Sequence, residues 1–134
     1  MIVTSHLIIK EIDLIDVNLK LMSNDIVYVY LKDNCEINVK WQEKMLKVYE
    51  EITEGKLMHF VFTAGDGVSI TKEARDNATK IEAQSLIGAS AVVVDNLAYK
   101  LIANFYLKFN KPKRPYKVFS NKADAVLWLK SITL

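Results

Sequence analysis

Residues 89–109 read ASAVVVDNLAYKLIANFYLKF, and the change of period inside that run decides the fold. Ala89 to Val94 are almost continuously small or β-branched and apolar. A strand with no polar alternation is one buried on both faces, the condition of a strand inside a parallel sheet. Asp95 or Asn96 then offers a side-chain oxygen to the orphan N–H groups of a helix start. From Leu97 onward the polar residues Lys100, Asn104 and Lys108 recur every four positions, which is one stripe of a helix over roughly 97–109. A strand running straight into a helix is half of a crossover unit.

The same alternation continues on either side. Upstream, a helix begins near Ser69 or Thr71 and turns Ala74, Ala78, Ile81 and Ser85 inward; those residues are small enough for close approach to a sheet. Before it, Leu57 to Thr63 is a short apolar strand, and Ala64-Gly65-Asp66-Gly67 supplies turn residues that tolerate positive φ. Met45, Leu46, Tyr49 and Ile52 repeat at helical spacing, with Asn38 as N-cap and Gly55 as the stop. Ile26 to Leu31 is a buried strand, joined through Ser23-Asn24-Asp25 to the alternating Leu19 and Leu21 as a hairpin. Downstream, a loop over 110–115 leads to a strand at Tyr116–Phe119. Ser120 or Asn121 then caps a last helix with Ala125, Trp128, Leu129 and Ile132 facing in. The order is a β-hairpin followed by α-β-α-β-α-β-α. This predicts an α/β domain with a mixed, mostly parallel sheet of about five strands and about four helices. Residues 6–15 are apolar and β-prone without a clear register, so 1–15 is an N-terminal extension or an extra strand.

Composition agrees with one domain over 1–134. The 134 residues are 51% hydrophobic and 25% charged, which excludes a disordered tail, a collagen-like fibre and a disulfide scaffold. A net charge of +2, from 18 Lys+Arg and 16 Asp+Glu, gives no global pull toward nucleic acid. Cys35 is the sole cysteine and the histidines are His6 and His59. That predicts no intrachain disulfide, no Cys-based metal site and no cofactor. No apolar run approaches the ~20 residues of a membrane span, and Met1 to His6 lacks a basic n-region. The expectation is a cytoplasmic protein with no targeting segment.

Several stretches carry a family resemblance: Ala89 to Val94, Asn104-Phe105-Tyr106-Leu107-Lys108-Phe109-Asn110-Lys111-Pro112, Pro115 to Phe119 and Ala125 to Leu129, with Glu73-Ala74-Arg75. Over roughly residues 18–132 the chain resembles the STAS/SEC14-like (SpoIIAA-like) bacterial domains of an uncharacterised group. Those are in turn similar to the anti-sigma-factor antagonists. The resemblance implies a STAS-like fold and a non-enzymatic, regulatory role in protein–protein interaction. The antagonists carry a phosphorylated serine at the start of the second helix. The corresponding stretch here, Thr63 to Thr71, lacks their Asp-Ser-Ser-Gly-like motif.

The candidate residues fall into two groups. Ser69 and Thr71, with Asp66 before them, are helix-capping or turn residues in the plain reading, and a phosphosite or an anion-binding helix N-terminus in the functional one. The helix at 97–109 is too apolar for a surface helix. Leu97, Leu101, Ile102, Phe105, Tyr106 and Phe109 on it are either covered by residues 1–15 or the last helix, or form a partner surface, most simply a homodimer interface. A lipid- or ligand-facing wall is the third reading, which SEC14-like relatives suggest. A small-molecule or lipid site would then lie between the Ala64–Thr71 loop and this helix, with an anionic head group on helix-end N–H groups. His59 is read as a partly buried, hydrogen-bonded histidine, Cys35 as an ordinary thiol in the polar loop after Asp33-Asn34, and the basic 108–117 loop as a solvated loop able to meet an acidic partner. No catalytic constellation is expected. A hydrolase would need Asp66 and His59 to converge near Ser69.

Overall fold

The computed structural model describes residues 6–133 and, within that span, only the backbone of Ala98, Phe105 and Phe109. In chain order the elements are β1 (Ile8–Asp13), β2 (Val17–Met22), β3 (Ile26–Leu31), β4 (Glu36–Ile37), α1 (Val39–Thr53), β5 (Met58–Ala64), β6 (Ser69–Ile70), α2 (Lys72–Ile81), β7 (Ile87–Val93), α3 (Leu97–Asn110), β8 (Tyr116–Phe119) and α4 (Lys122–Lys130). A single 3-10 turn at Glu82–Gln84 follows α2.

Six strands form the main sheet in the order β1-β2-β3-β5-β7-β8. The first two pairings are antiparallel and the other three parallel. The expected hairpin is β2–β3, and Asn24 Oδ1 braces its turn by accepting the Ile26 N–H at 3.1 Å. The sheet has one strand more than the five expected. The sixth is β1, which lies outside β2 and pairs Ile12 with Leu19. The two-residue strands β4 and β6 pair in parallel as a separate ribbon.

Alternation along the strands sorts the core into two layers. Val27, Val29, Phe60 and Val92 point to one face, where Met45, Tyr49 and Ile52 of α1 and Tyr99 and Ala103 of α3 cover them. Ile26, Val61, Ala89, Ala91 and Val93 point to the other, under Ala125 and Leu129 of α4. Each fully buried large side chain, Phe60 or Leu19 for example, contributes about 1.5–3 kcal/mol relative to exposure. Three helices thus lie on one face and one on the other, and α2 packs between α1 and α3. The caps are those the sequence offers. Asn38, Thr71, Asn96 and Asn121 each accept a backbone N–H three residues on, and α1 ends in left-handed turns at Glu54 and Gly55.

Candidate functional site

The stretch Thr63 to Thr71 crosses the C-terminal edge of the sheet. Gly65 approaches so closely that a Cβ there would overlap the Asp33 carboxylate, and Gly67 has φ +73°. The Asp33 carboxylate accepts the Asp66 N–H at 2.9 Å, so Asp66 lies in a braced turn with its own side chain exposed. Thr71 Oγ1 accepts the Ala74 N–H at 3.1 Å, which commits that hydroxyl to capping. Ser69 is exposed, and its N–H donates to Cys35 O. Asp66, Ser69 and Thr71 share this edge.

His59 lies at the other end of β5, on the α4 face. The pairing of β5 with β7 slips by one residue between Met58 and Phe60, and such a bulge leaves a strand N–H without its ladder partner. Here His59 Nδ1 accepts the Ala89 N–H at 3.0 Å. That fixes the tautomer, so Nε2 carries the proton and donates to Ile132 O at 2.9 Å. The imidazole patches the bulge and ties down the end of α4. It does not converge with Asp66 and Ser69, so these three residues do not form the constellation a hydrolase was expected to need. Cys35 sits in the core at 2% exposure, not in an open loop, and burial pushes its thiol up to about 11.

α3 has two unlike sides. Leu97 and Leu101 stand 71% and 61% exposed, beside the exposed Lys100, Asn104 and Lys108. The other side carries Tyr99 and Ala103, which are buried, and Ile102 and Tyr106, which are half-buried. The side chains of Phe105 and Phe109 lie outside the described residues. The expected cover by α4 is not there, because α4 packs on the opposite face of the sheet. The six candidates therefore do not form one surface: Leu97 and Leu101 face out, while Ile102 and Tyr106 face in.

They face a half-open cavity of about 230 Å³ between α1, α2, α3 and the sheet. Its walls are mainly apolar: Met45, Phe62, Ile70, Ile81, Val92 and Ile102 are among them. Four of the six tyrosines of the chain, Tyr49, Tyr99, Tyr106 and Tyr116, line it as well. The Tyr116 hydroxyl donates to Ala103 O at 3.3 Å. Desolvation pushes all four phenols up, Tyr106 to about 12. They are neutral donors at any ordinary pH. Gln42 fixes one wall, with its amide N–H donating to Ala74 O at 2.8 Å and its oxygen accepting from Asn77 at 3.0 Å. At the far end Glu82 accepts the backbone N–H groups of Lys113 and Arg114 at 3.1 and 3.3 Å. The Arg114 guanidinium donates to Ser85 O and Ile87 O at 2.7 Å each. This interlock pins the 111–115 loop across the end of β7, so the loop is a latch and not free chain.

The cavity differs from the site the sequence suggested. It lies under α3 as expected, yet Asp66, Ser69 and Thr71 are not in its lining. Sequence reading placed Tyr49 and Ala78 on inward helix faces and stopped there, because periodicity separates inside from outside and cannot separate a filled core from a hollow one. The available signal was the pairing of large aromatics with the small Ala74, Ala78 and Ala103 on facing helices. Among the described residues no group of His, Cys, Asp and Glu could hold a metal ion, and no helix is long and apolar enough to cross a membrane.

The chain belongs to a family described as a domain of unknown function (DUF7793), whose model matches residues 20–133. A similar solved structure is that of an uncharacterised protein of the DUF3478 family with a SpoIIAA-like fold, from Shewanella loihica PV-4. The two share 16% identity over 96% of this chain and 98% of that one, with a TM-score of 0.57. The SpoIIAA-like fold implied by the sequence is therefore shown. No curated protein matches the chain.

Proposed function

We propose that this family member is a non-enzymatic, STAS-like regulatory domain that takes a small apolar molecule into the cavity beneath α3. The cavity carries the reading. Protein interiors are close-packed, and an apolar cavity of about 150 Å³ already accommodates benzene. A space of about 230 Å³ among four tyrosines is larger than that. Protein purified without organic additives, melted against a panel of small aromatic and alicyclic compounds, is expected to be stabilised by some of them. A ligand at a hundred times its Kd adds about 2.7 kcal/mol. The variant Ala78→Leu, which fills the cavity from α2, should fold and lose the effect. A panel without any shift contradicts the reading.

A second reading rests on the outer side of α3. Leu97 and Leu101 are large apolar residues left in solvent, which supports a protein-interaction surface there, most simply a homodimer. Light scattering over a concentration series would then give a dimer for the natural chain and a monomer for Leu101→Glu. A monomer at every concentration leaves the outer face to a different protein partner. The exposed Ser69, on β6, is the hydroxyl on which a partner kinase would act. The buried thiol of Cys35 suits a reducing cytoplasm.

A further inference from the structure

We propose that the outer side of α3, with the 111–115 loop beyond its end, docks on an anionic lipid bilayer. This goes beyond both readings above and does not rest on the cavity. The charge of the chain is segregated. Residues 96–123 hold seven Lys and Arg and no Asp or Glu, while the other eleven cations share the rest of the chain with all 16 acids. A net charge of +2 therefore conceals one strongly cationic segment.

The fold gathers much of that segment on one surface. Leu97, Lys100, Leu101, Asn104, Leu107 and Lys108 are exposed at spacings of one, three and four, which makes them one stripe of α3. Leu97, Leu101 and Leu107 are 71%, 61% and 41% exposed. Lys111 and Lys113 stand exposed just past the helix end. The ion pairs among the described residues, Lys32–Asp13 and Lys72–Asp76, use none of Lys100, Lys111 and Lys113. Of the neighbouring acids, Glu82 is occupied by the backbone N–H groups of Lys113 and Arg114, and Asp76 by Lys72. Asp95 is an exposed acid at the head of the stripe.

Leucine interleaved with lysine matches a surface that is anionic at its headgroups and apolar below them. The leucines enter the acyl boundary, and the lysine stems reach back to phosphate. A convex helix face offers no groove to an acidic peptide, and a bilayer needs none. Two copies meeting stripe to stripe would set lysine against lysine. A dimer through α3 therefore lacks the charge complementarity that a membrane supplies.

The test is flotation of the full chain with two kinds of vesicle. One is phosphatidylcholine alone, and the other is phosphatidylcholine and phosphatidylglycerol in equal parts. Binding is expected to the anionic vesicles, at least about tenfold weaker to the neutral ones, and weakened by salt. Each Lys near an anionic surface is worth about fivefold, so Lys100→Gln with Lys113→Gln should weaken binding about tenfold or more. Leu101→Ser should weaken it about tenfold. The matched pair Lys44→Gln with Lys47→Gln, on the exposed face of α1, should leave it within about twofold. Equal losses from the two lysine pairs overturn the inference, as does equal binding to both vesicles. So does absence of flotation; a dimer that Leu101→Glu breaks would then give this face to the second reading. Retention on immobilised polyglutamate without flotation assigns the face to an acidic protein and overturns it too. All five substituted residues are exposed, so the variants should fold, and should one fail the others decide.

Discussion

Single residues explain the local departures from regularity. His59 is the clearest, because a bulge in β7 would orphan the Ala89 N–H and the imidazole meets it. His59→Phe keeps a ring of similar size and removes both bonds. It should lower stability by about 2–4 kcal/mol, since two buried polar groups lose partners, read as a fall in the urea midpoint. An unchanged midpoint would show that water replaces the ring. Cys35 makes a second prediction. Its thiol titrates near 11 because burial disfavours the thiolate, against an ordinary value of about 9. At pH 8 the folded protein should react with iodoacetamide at least about a hundredfold more slowly than the unfolded chain. The sign of the linkage is fixed as well. The unfolded thiol ionises first, so this contribution to stability is full below pH 9 and is lost as pH rises toward 11. His59 was legible as a partly buried, hydrogen-bonded residue, and Cys35 only as an ordinary thiol in a polar loop. Their partners were not, because a bulge is a property of two strands and leaves no mark on one.

At the scale of elements, caps and periods were readable in advance. Asn38 and Asn96 bond where expected, at 2.8 Å to the N–H groups of Trp41 and Tyr99, and Thr71 and Asn121 proved the working member of each suggested pair. Asn96→Ala should cost about 1 kcal/mol. Because the same helix start carries Tyr99, the variant should also loosen the cavity wall, seen as faster amide exchange across Leu97 to Leu101. Protection equal to that of the natural chain would separate the cap from the wall. The loop over 110–115 was legible only as basic. Glu82 lies about thirty residues away, and an interlock of that span is written by the tertiary fold, not by local spacing. The apolar excess of α3 was visible in its sequence. Its division into a cavity side and a solvent side was not, since the reading could not tell which neighbour would cover which side.

At the scale of the molecule, the alternation of strand and helix settles a mostly parallel sheet, and the opening hairpin settles its antiparallel margin. β1 was legible only as one of two alternatives, an extra strand or an extension, because Ile8 to Asp13 has no strict two-residue period, and an edge strand with a shifted register near Ile8 needs none. The asymmetry of the sandwich has a consequence for function. α4 alone seals one face with Ala125, Leu129 and the half-buried Trp128, which packs on Phe119, whereas three helices over the other face meet around a hollow lined by four tyrosines. Packing that hollow would add dispersion contacts and stability, so its retention is the feature a binding role explains. The direct test is an NMR titration of cumene into the natural chain, read by intermolecular nuclear Overhauser contacts. Contacts to Tyr99, Ile102 and Val92 that vanish in Ala78→Leu are the expected result. Contacts confined to Leu97 and Leu101 on the outer side of α3, or none at all, would contradict it.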